Sequence, residues 1–396
     1  MTSREKSILF AVSSCHALIH AYMLVFPTIY QSLGSALKLE FAGVGFVGMA
    51  SYMAFGFGSL PAGLLADRLG ARLLLVLCLA GTTLASVLAF VVGSTVGVVL
   101  SLILLGLFAS MYHPAGLSIL STSIKETGRG MGVHGMAGTM GVAVAPLIAG
   151  SLTERFGWTY AYLALGLAGA GITAALLSSL RFHVRSPEPS KVKEEHVSIA
   201  KSINRNLIFI YLIGALYGLI YRGVMTFFQV YLSQRVSFIG DDVRKLGYVS
   251  FGILLVSLAG PLLGGHLASS TRRIERNLLF VFILLALLSL GFYYAEGLLL
   301  ILVAAPTVLL IFGFQPLQNT LIAKSSHAMR RGVVYGINYT VGFGIGAFAS
   351  GIGGVFGERF GLRSVFLLML GLCLAVVILL VISMTLRRRE HGLPQP

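Results

Sequence analysis

Twelve apolar runs, separated by short polar connections, organise the chain. They fall roughly at residues 7–32, 41–66, 72–93, 96–121, 130–152, 158–181, 207–233, 246–269, 278–295, 298–323, 332–356 and 362–386. A helix needs about 20 apolar residues to cross a bilayer core, and each run is near that length. The runs are continuous rather than alternating, which points to helices and away from a closed barrel. The first run is too long for a signal peptide, and no small-residue cleavage site follows it. It is expected to stay as the first helix. The pattern predicts an all-α integral membrane protein of about twelve transmembrane helices.

Composition excludes a soluble protein. The chain is 56% hydrophobic and 11% charged, with mean hydropathy +0.89. The net charge of +15 suggests a polyanion partner until its distribution is read. With the N-terminus taken as cytoplasmic, 21 of the 29 Lys and Arg fall on the inner side and only Arg222 lies within a helix. That excess inside places both termini in the cytoplasm, in the inner membrane of a bacterium, and makes the basic character a topology signal. No nucleic acid is implied. Cys15, Cys78 and Cys373 all fall in apolar runs, with neither metal spacing nor a disulfide pattern.

The longest internal polar stretch, 182–206, contains SPEPSKVKEEH and is expected to link two six-helix bundles, 1–181 and 207–396. Internal repetition supports the division. A shift of about 202 residues brings Tyr112-His113-Pro114 onto Phe314-Gln315-Pro316, and Met23 and Phe26 onto Met225 and Phe228. ERFG at 154–157 recurs at 358–361. Parallel repeats of this size are a transporter architecture, with the ligand between halves near the midplane.

After the second run the chain reads GLLADRLGAR (63–72). This resembles the major facilitator superfamily signature GxxxDRxGRR. The resemblance implies a cytoplasmic latch of Gly63, Asp67, Arg68, Gly70 and Arg72, with Gly63 allowing close helix approach. The second half carries a worn copy at 265–276, with Ser269 and Ser270 at the acidic and basic positions. The fifth run, GVAVAPLIAG, resembles the antiporter motif GxxxGPxxGG. Its positions here are Gly141, Ala145, Pro146 and Gly150.

All fourteen carboxylates fall at or beyond the ends of the runs. The deep ionisable groups are then His16, His20, His113 and Arg222, with His134 shallower. Such groups are costly in lipid and face a cavity or a polar partner. His16 and His20 lie four apart and share a helix face. Under the 202-residue shift, His20 corresponds to Arg222 and His113 to Gln315. Tyr22, Tyr112, Tyr221, Gln229, Gln318, Asn319, Tyr335, Asn338 and Tyr339 are further candidate contacts for a substrate.

HALIHAYMLVFP (16–27), the Tyr-His-Pro of the fourth run, the glycine-rich fifth run and YRGVMTFFQVYL (221–232) together resemble the fosmidomycin-resistance-type drug exporters. In that family the first helix carries a His followed four residues later by an acid, and the fourth carries Phe-His-Pro. Here His16 is kept, His20 stands at the acidic position and Tyr112 replaces Phe. The resemblance implies a monomeric, proton-coupled exporter of a drug-like or anionic compound, working by alternating access without a cofactor. Arg222 would attract the substrate, and His20, with His16 or His113, would carry the proton, since imidazole titrates near physiological pH. Three alternatives remain open from the residues: uptake of a small organic anion, metal or metal-chelate transport through His16, His20 and His113, and a receptor or scaffold on the same fold. No nucleophile–base pair or phosphate loop suggests an enzyme.

Overall fold

The computed structural model describes residues 1–125, 127–178, 205–270, 274–325 and 331–390. The expected linker lies outside these residues but for its last two. The side chains of Asp67 and Tyr335 also lie outside the description, and with them the acidic member of the expected latch. Among the described residues, twelve helices are long and apolar enough to cross a membrane: α1 Ser3–Thr28, α2 Phe41–Ala66, α3 Ala71–Val91, α4 Thr95–Leu120, α5 Gly130–Phe156, α6 Thr159–Ser178, α7 Arg205–Arg235, α8 Val243–Ala268, α9 Ile274–Tyr294, α10 Gly297–Ile322, α11 Gly336–Phe360 and α12 Ser364–Leu386. Successive helices alternate in direction, so both termini lie at one end of the bundle, the near end.

Local sequence sets the starts and the breaks. Thr2 and Glu5 form a reciprocal capping box on α1, and Ser94 and Asp242 cap α4 and α8. Two spans are interrupted, α4 at Ser110–Met111 and α8 at Ser257–Leu258. Each break begins four residues before a proline, Pro114 and Pro261. Proline has no N–H to meet the carbonyl four residues back, and its ring crowds that carbonyl. In α11, Thr340–Ile345 widens into a π-helical turn.

α1 packs on α5, α3 on α4 and α6, α9 on α12, and α8 on α10. Contacts of α2 with α11, α5 with α8, and α1 with α7 join the first six helices to the last six. Two hydrogen bonds cross this seam at the far end. The Ala42 N–H donates to Glu358 Oε2 at 2.7 Å, and Thr28 Oγ1 donates to Gln229 Oε1 at 2.8 Å. Tyr30 and Phe41 both place their rings 5.8 Å from that of Phe227. Near-end residues such as Leu64, Arg68 and Leu69 are exposed instead.

Glycines set close helix approaches in this bundle. A Cβ on Gly141 would overlap the Ala17 carbonyl of α1, and one on Gly150 would press on the α8 backbone at Val243 and Gly247. Gly63 was expected to bring helices together, yet a Cβ there meets nothing within 4 Å. Gly70 instead ends its helix with φ +85°, a conformation glycine adopts without strain. Thermal unfolding in detergent should separate the two helical glycines. Gly63→Ala should raise stability by about 0.5–1 kcal/mol through helix propensity, whereas Gly141→Leu should lower it by about 1–3 kcal/mol through overpacking.

Glu358 satisfies a donor that the first turn of α2 cannot satisfy itself. Its carboxylate also complements the positive end of that helix. Glu358→Ala should therefore loosen the far end. Labelling of a cysteine at position 42 from the far side should speed up several-fold in the Glu358→Ala background, and an unchanged rate would show that the contact does not hold the seam.

Candidate functional site

Four histidines converge beside the seam. α1 contributes His16 and His20, the segment of α4 after its break contributes His113, and α5 contributes His134. The His16 ring stacks on His134 at 4.0 Å between centroids and meets His20 edge-on at 4.6 Å. His113 lies 5.4 Å from His16 and 5.7 Å from His20. Tyr112 lies beside both rings, 5.0 Å from His16 and 5.9 Å from His134 between centroids, and donates its hydroxyl to the Val12 carbonyl at 2.6 Å. Gly138 makes the room, because a Cβ there would overlap the His16 ring.

The hydrogen bonds order the tautomers. His16 Nδ1 is 2.8 Å from the His134 backbone carbonyl. A carbonyl only accepts, so Nδ1 carries the hydrogen, and in the neutral ring Nε2 carries a lone pair. His20 Nε2 lies 3.0 Å from that lone pair and must donate to it. The chain therefore leaves His20 Nδ1 as an open acceptor. His113 Nε2 is buried without a partner.

Arg222 approaches from α7. Its guanidinium carbon lies 3.5 Å from the centre of the Tyr52 ring and 5.5 Å from that of Tyr221. Tyr52 is held in turn by its hydroxyl, which donates to the Met23 carbonyl at 3.2 Å. The arginine is 4% exposed, and its Nη1 has no hydrogen-bond partner. Among the described residues the carboxylates occupy helix ends and connections, so none neutralises it. Arg222 is close enough to His20 to act on it electrostatically, as are His16, His113 and His134. On the far wall, Tyr339 stacks on His113 at 5.3 Å, and Phe343 of the π turn lies 5.9 Å from it.

The other expected site residues divide. Tyr221 packs beside Arg222, and Gln229 reaches α1 through Thr28. Gln318 donates to Asn338 Oδ1 at 3.0 Å, and both are buried among α7, α10 and α11. Tyr22 points the other way, donating to the Leu165 carbonyl of α6 at 2.8 Å. Gln315 is exposed and is not brought to its repeat counterpart His113, while Asn319 is half-buried. The helix-5 motif lines two seams, with Gly141 against α1 and Gly150 and the Pro146 carbonyl against Gly247; Ala145 is buried. Ligand nitrogens of His16, His20 and His113 lie within 4.8 Å of one another. A borderline cation would fit that space only if the His16–His20 hydrogen bond opened, and the Arg222 charge opposes it.

Residues 9–350 match the family model of the Major Facilitator Superfamily. The chain belongs to this superfamily. Within it, similar relatives include the "probable L-galactonate transporter" of Escherichia coli (strain K12), 34% identical over 119 residues, 30% of this chain and 26% of that one. The tetracenomycin C resistance and export protein of Streptomyces glaucescens is 27% identical over 160 residues, 39% and 29% of the two chains. The "probable galactarate/D-glucarate transporter GudP" of Bacillus subtilis (strain 168) is 24% identical over 282 residues, 63% and 61%. Each match spans less than two thirds of the relative's length. Two solved structures share the superfamily fold. The nucleoside transporter NupG has TM-score 0.77 at 14% identity, covering 94% of this chain and 99% of that one. A bacterial homologue of the human lysosomal transporter Spinster, inward-facing and occupied, has TM-score 0.75 at 14% identity, covering 97% and 98%.

Of the partners at the site, the sequence left Tyr52 unnamed and placed His134 too shallow. Tyr52 carries no local mark distinguishing it from a packing tyrosine. His134 looked shallow, because its depth depends on how α5 lies along α1.

Proposed function

We propose that this superfamily member is a proton-coupled secondary transporter of small organic anions, working by alternating access between its first and last six helices. The observation that carries the reading is Arg222, a buried guanidinium braced on Tyr52 with a free donor and no carboxylate partner. Uncompensated buried charge is expensive in a membrane protein and is retained where a ligand supplies the counter-charge. His20 Nδ1 is the atom that takes the proton, within the field of Arg222, His16, His113 and His134. The excess of basic residues puts the near end on the cytoplasmic side, so the far end faces outward.

The sign of the coupling follows from charge. A proton on His20 adds positive potential beside Arg222 and raises the affinity for an anion, and by reciprocity the anion raises the affinity for the proton. Ligands that favour each other load and unload together, which is symport. An inward proton gradient then drives uptake, in line with the sugar-acid relatives. Export is the second reading. It is favoured by the seam position of Gly141–Gly150, by the tetracenomycin exporter's similarity and by the drug-exporter-like motifs, and it applies to a cationic cargo that competes with the proton. Proteoliposomes with an imposed pH gradient test both. Anion accumulation on the alkaline side supports symport, accumulation on the acid side supports exchange, and no flux of any cargo points to a receptor or scaffold.

A further inference from the structure

Arg222, Thr226 and Gln229 occupy positions i, i+4 and i+7 of α7, one face of the helix. All three are buried, at 4%, 0% and 0% exposure. Each holds a polar atom without a partner: Arg222 Nη1, Thr226 Oγ1 and Gln229 Nε2. Leaving such an atom unpaired costs about 1–3 kcal/mol. Thr226 is the informative one. Hydroxyl residues within these helices habitually donate to the carbonyl four residues back, as Thr82, Thr139, Thr173, Thr307 and Thr320 do. Thr226 lies mid-helix and does not use the Arg222 carbonyl that the same habit would assign it. Gln229 spends its oxygen on Thr28, which leaves its amide hydrogens unused. Across the seam on α11, the buried Ser350 Oγ is also unpartnered.

We propose that this face is a ladder for a polyhydroxylated carboxylate, with the carboxylate on Arg222 and successive hydroxyls on Thr226 and Gln229. The inference rests on the anion reading above and narrows it to acids that carry hydroxyls along the chain. The ladder rises about 10 Å from Arg222 to Gln229 at 1.5 Å per residue, so an extended acid of several carbons reaches along it while a bare monocarboxylate leaves its upper rungs empty. A site built to hydrogen-bond hydroxyls strongly rejects an analogue that lacks them, because its own donors then stay unpaired.

The test measures binding and uptake in proteoliposomes with two six-carbon acids, gluconate and hexanoate. Gluconate should be preferred at least tenfold. Thr226→Val should erode that preference by roughly three- to tenfold, acting on gluconate and sparing hexanoate, and Thr226→Ser should restore it. Equal handling of the two acids by the unmodified protein overturns the ladder, and this arm needs no variant to fold. Equal losses for both acids in Thr226→Val overturn it as well. If both acids bind equally and Arg222→Ala abolishes both, the anion reading stands and only the hydroxyl ladder falls. If neither acid binds, both fall.

Discussion

Arg222→Met is expected to abolish anion transport and to make the protein more stable. Removing the guanidinium takes away the counter-charge for the substrate, a loss of about 2–5 kcal/mol for a desolvated charge pair, or roughly thirtyfold to several thousandfold in apparent affinity. The folded state gains, because a buried cation without a carboxylate is replaced by an apolar side chain of similar length. That gain exceeds the cation–π contact with Tyr52, worth about 0.5–2 kcal/mol. A higher unfolding temperature together with lost uptake marks a residue kept for its ligand. A lower unfolding temperature with uptake intact would make Arg222 a structural tie and end the anion reading. Arg222→Lys should recover little, since an ammonium offers neither the planar fork nor the stacked face that Tyr52 supports.

His20→Ala is expected to uncouple transport from the pH gradient while leaving exchange of anion across the membrane. With one proton carried per anion and no net charge moved, each unit of pH gradient supports a tenfold accumulation, or 1.36 kcal/mol. The variant should equilibrate at a ratio of one whatever the gradient, and counterflow of labelled anion should persist. His16→Ala should act more weakly, because it removes the acceptor that orients His20 and leaves the titrating ring in place. Tenfold accumulation per pH unit retained in His20→Ala would move the proton elsewhere, with His113 the next candidate.

The twelve spans were legible because lipid leaves a chain few options: continuous apolar runs near 20 residues admit one structure. The expected boundaries differ from the observed helices by a few residues, as at α1, which begins at Ser3. The breaks in α4 and α8 were available in principle from Pro114 and Pro261, but α10 carries Pro306 and Pro316 and runs on, so proline alone does not decide. The π turn of α11 has no composition that marks it. At the site, scarcity pointed the way: placing every carboxylate at a helix end left His16, His20, His113 and Arg222 as the deep charges, and these do come together. The brace under Arg222 and the depth of His134 were hidden, because both depend on the rotation of one helix against another.

The hydrogen bond from His16 to α5 ends on a main-chain carbonyl. Replacing the side chain at position 134 does not delete it, and a comparison of sequences would never reveal it as a constrained pair. What maintains it is the position of one helix along another, and Gly138 and Gly141 set that position by letting α1 lie against the α5 backbone. Because α1 and α5 belong to the same six-helix set, rocking of one set against the other leaves the bond unstrained. The geometry of the His16–His20 pair is thus set within one six-helix set, and it depends on two residues with no side chain at all.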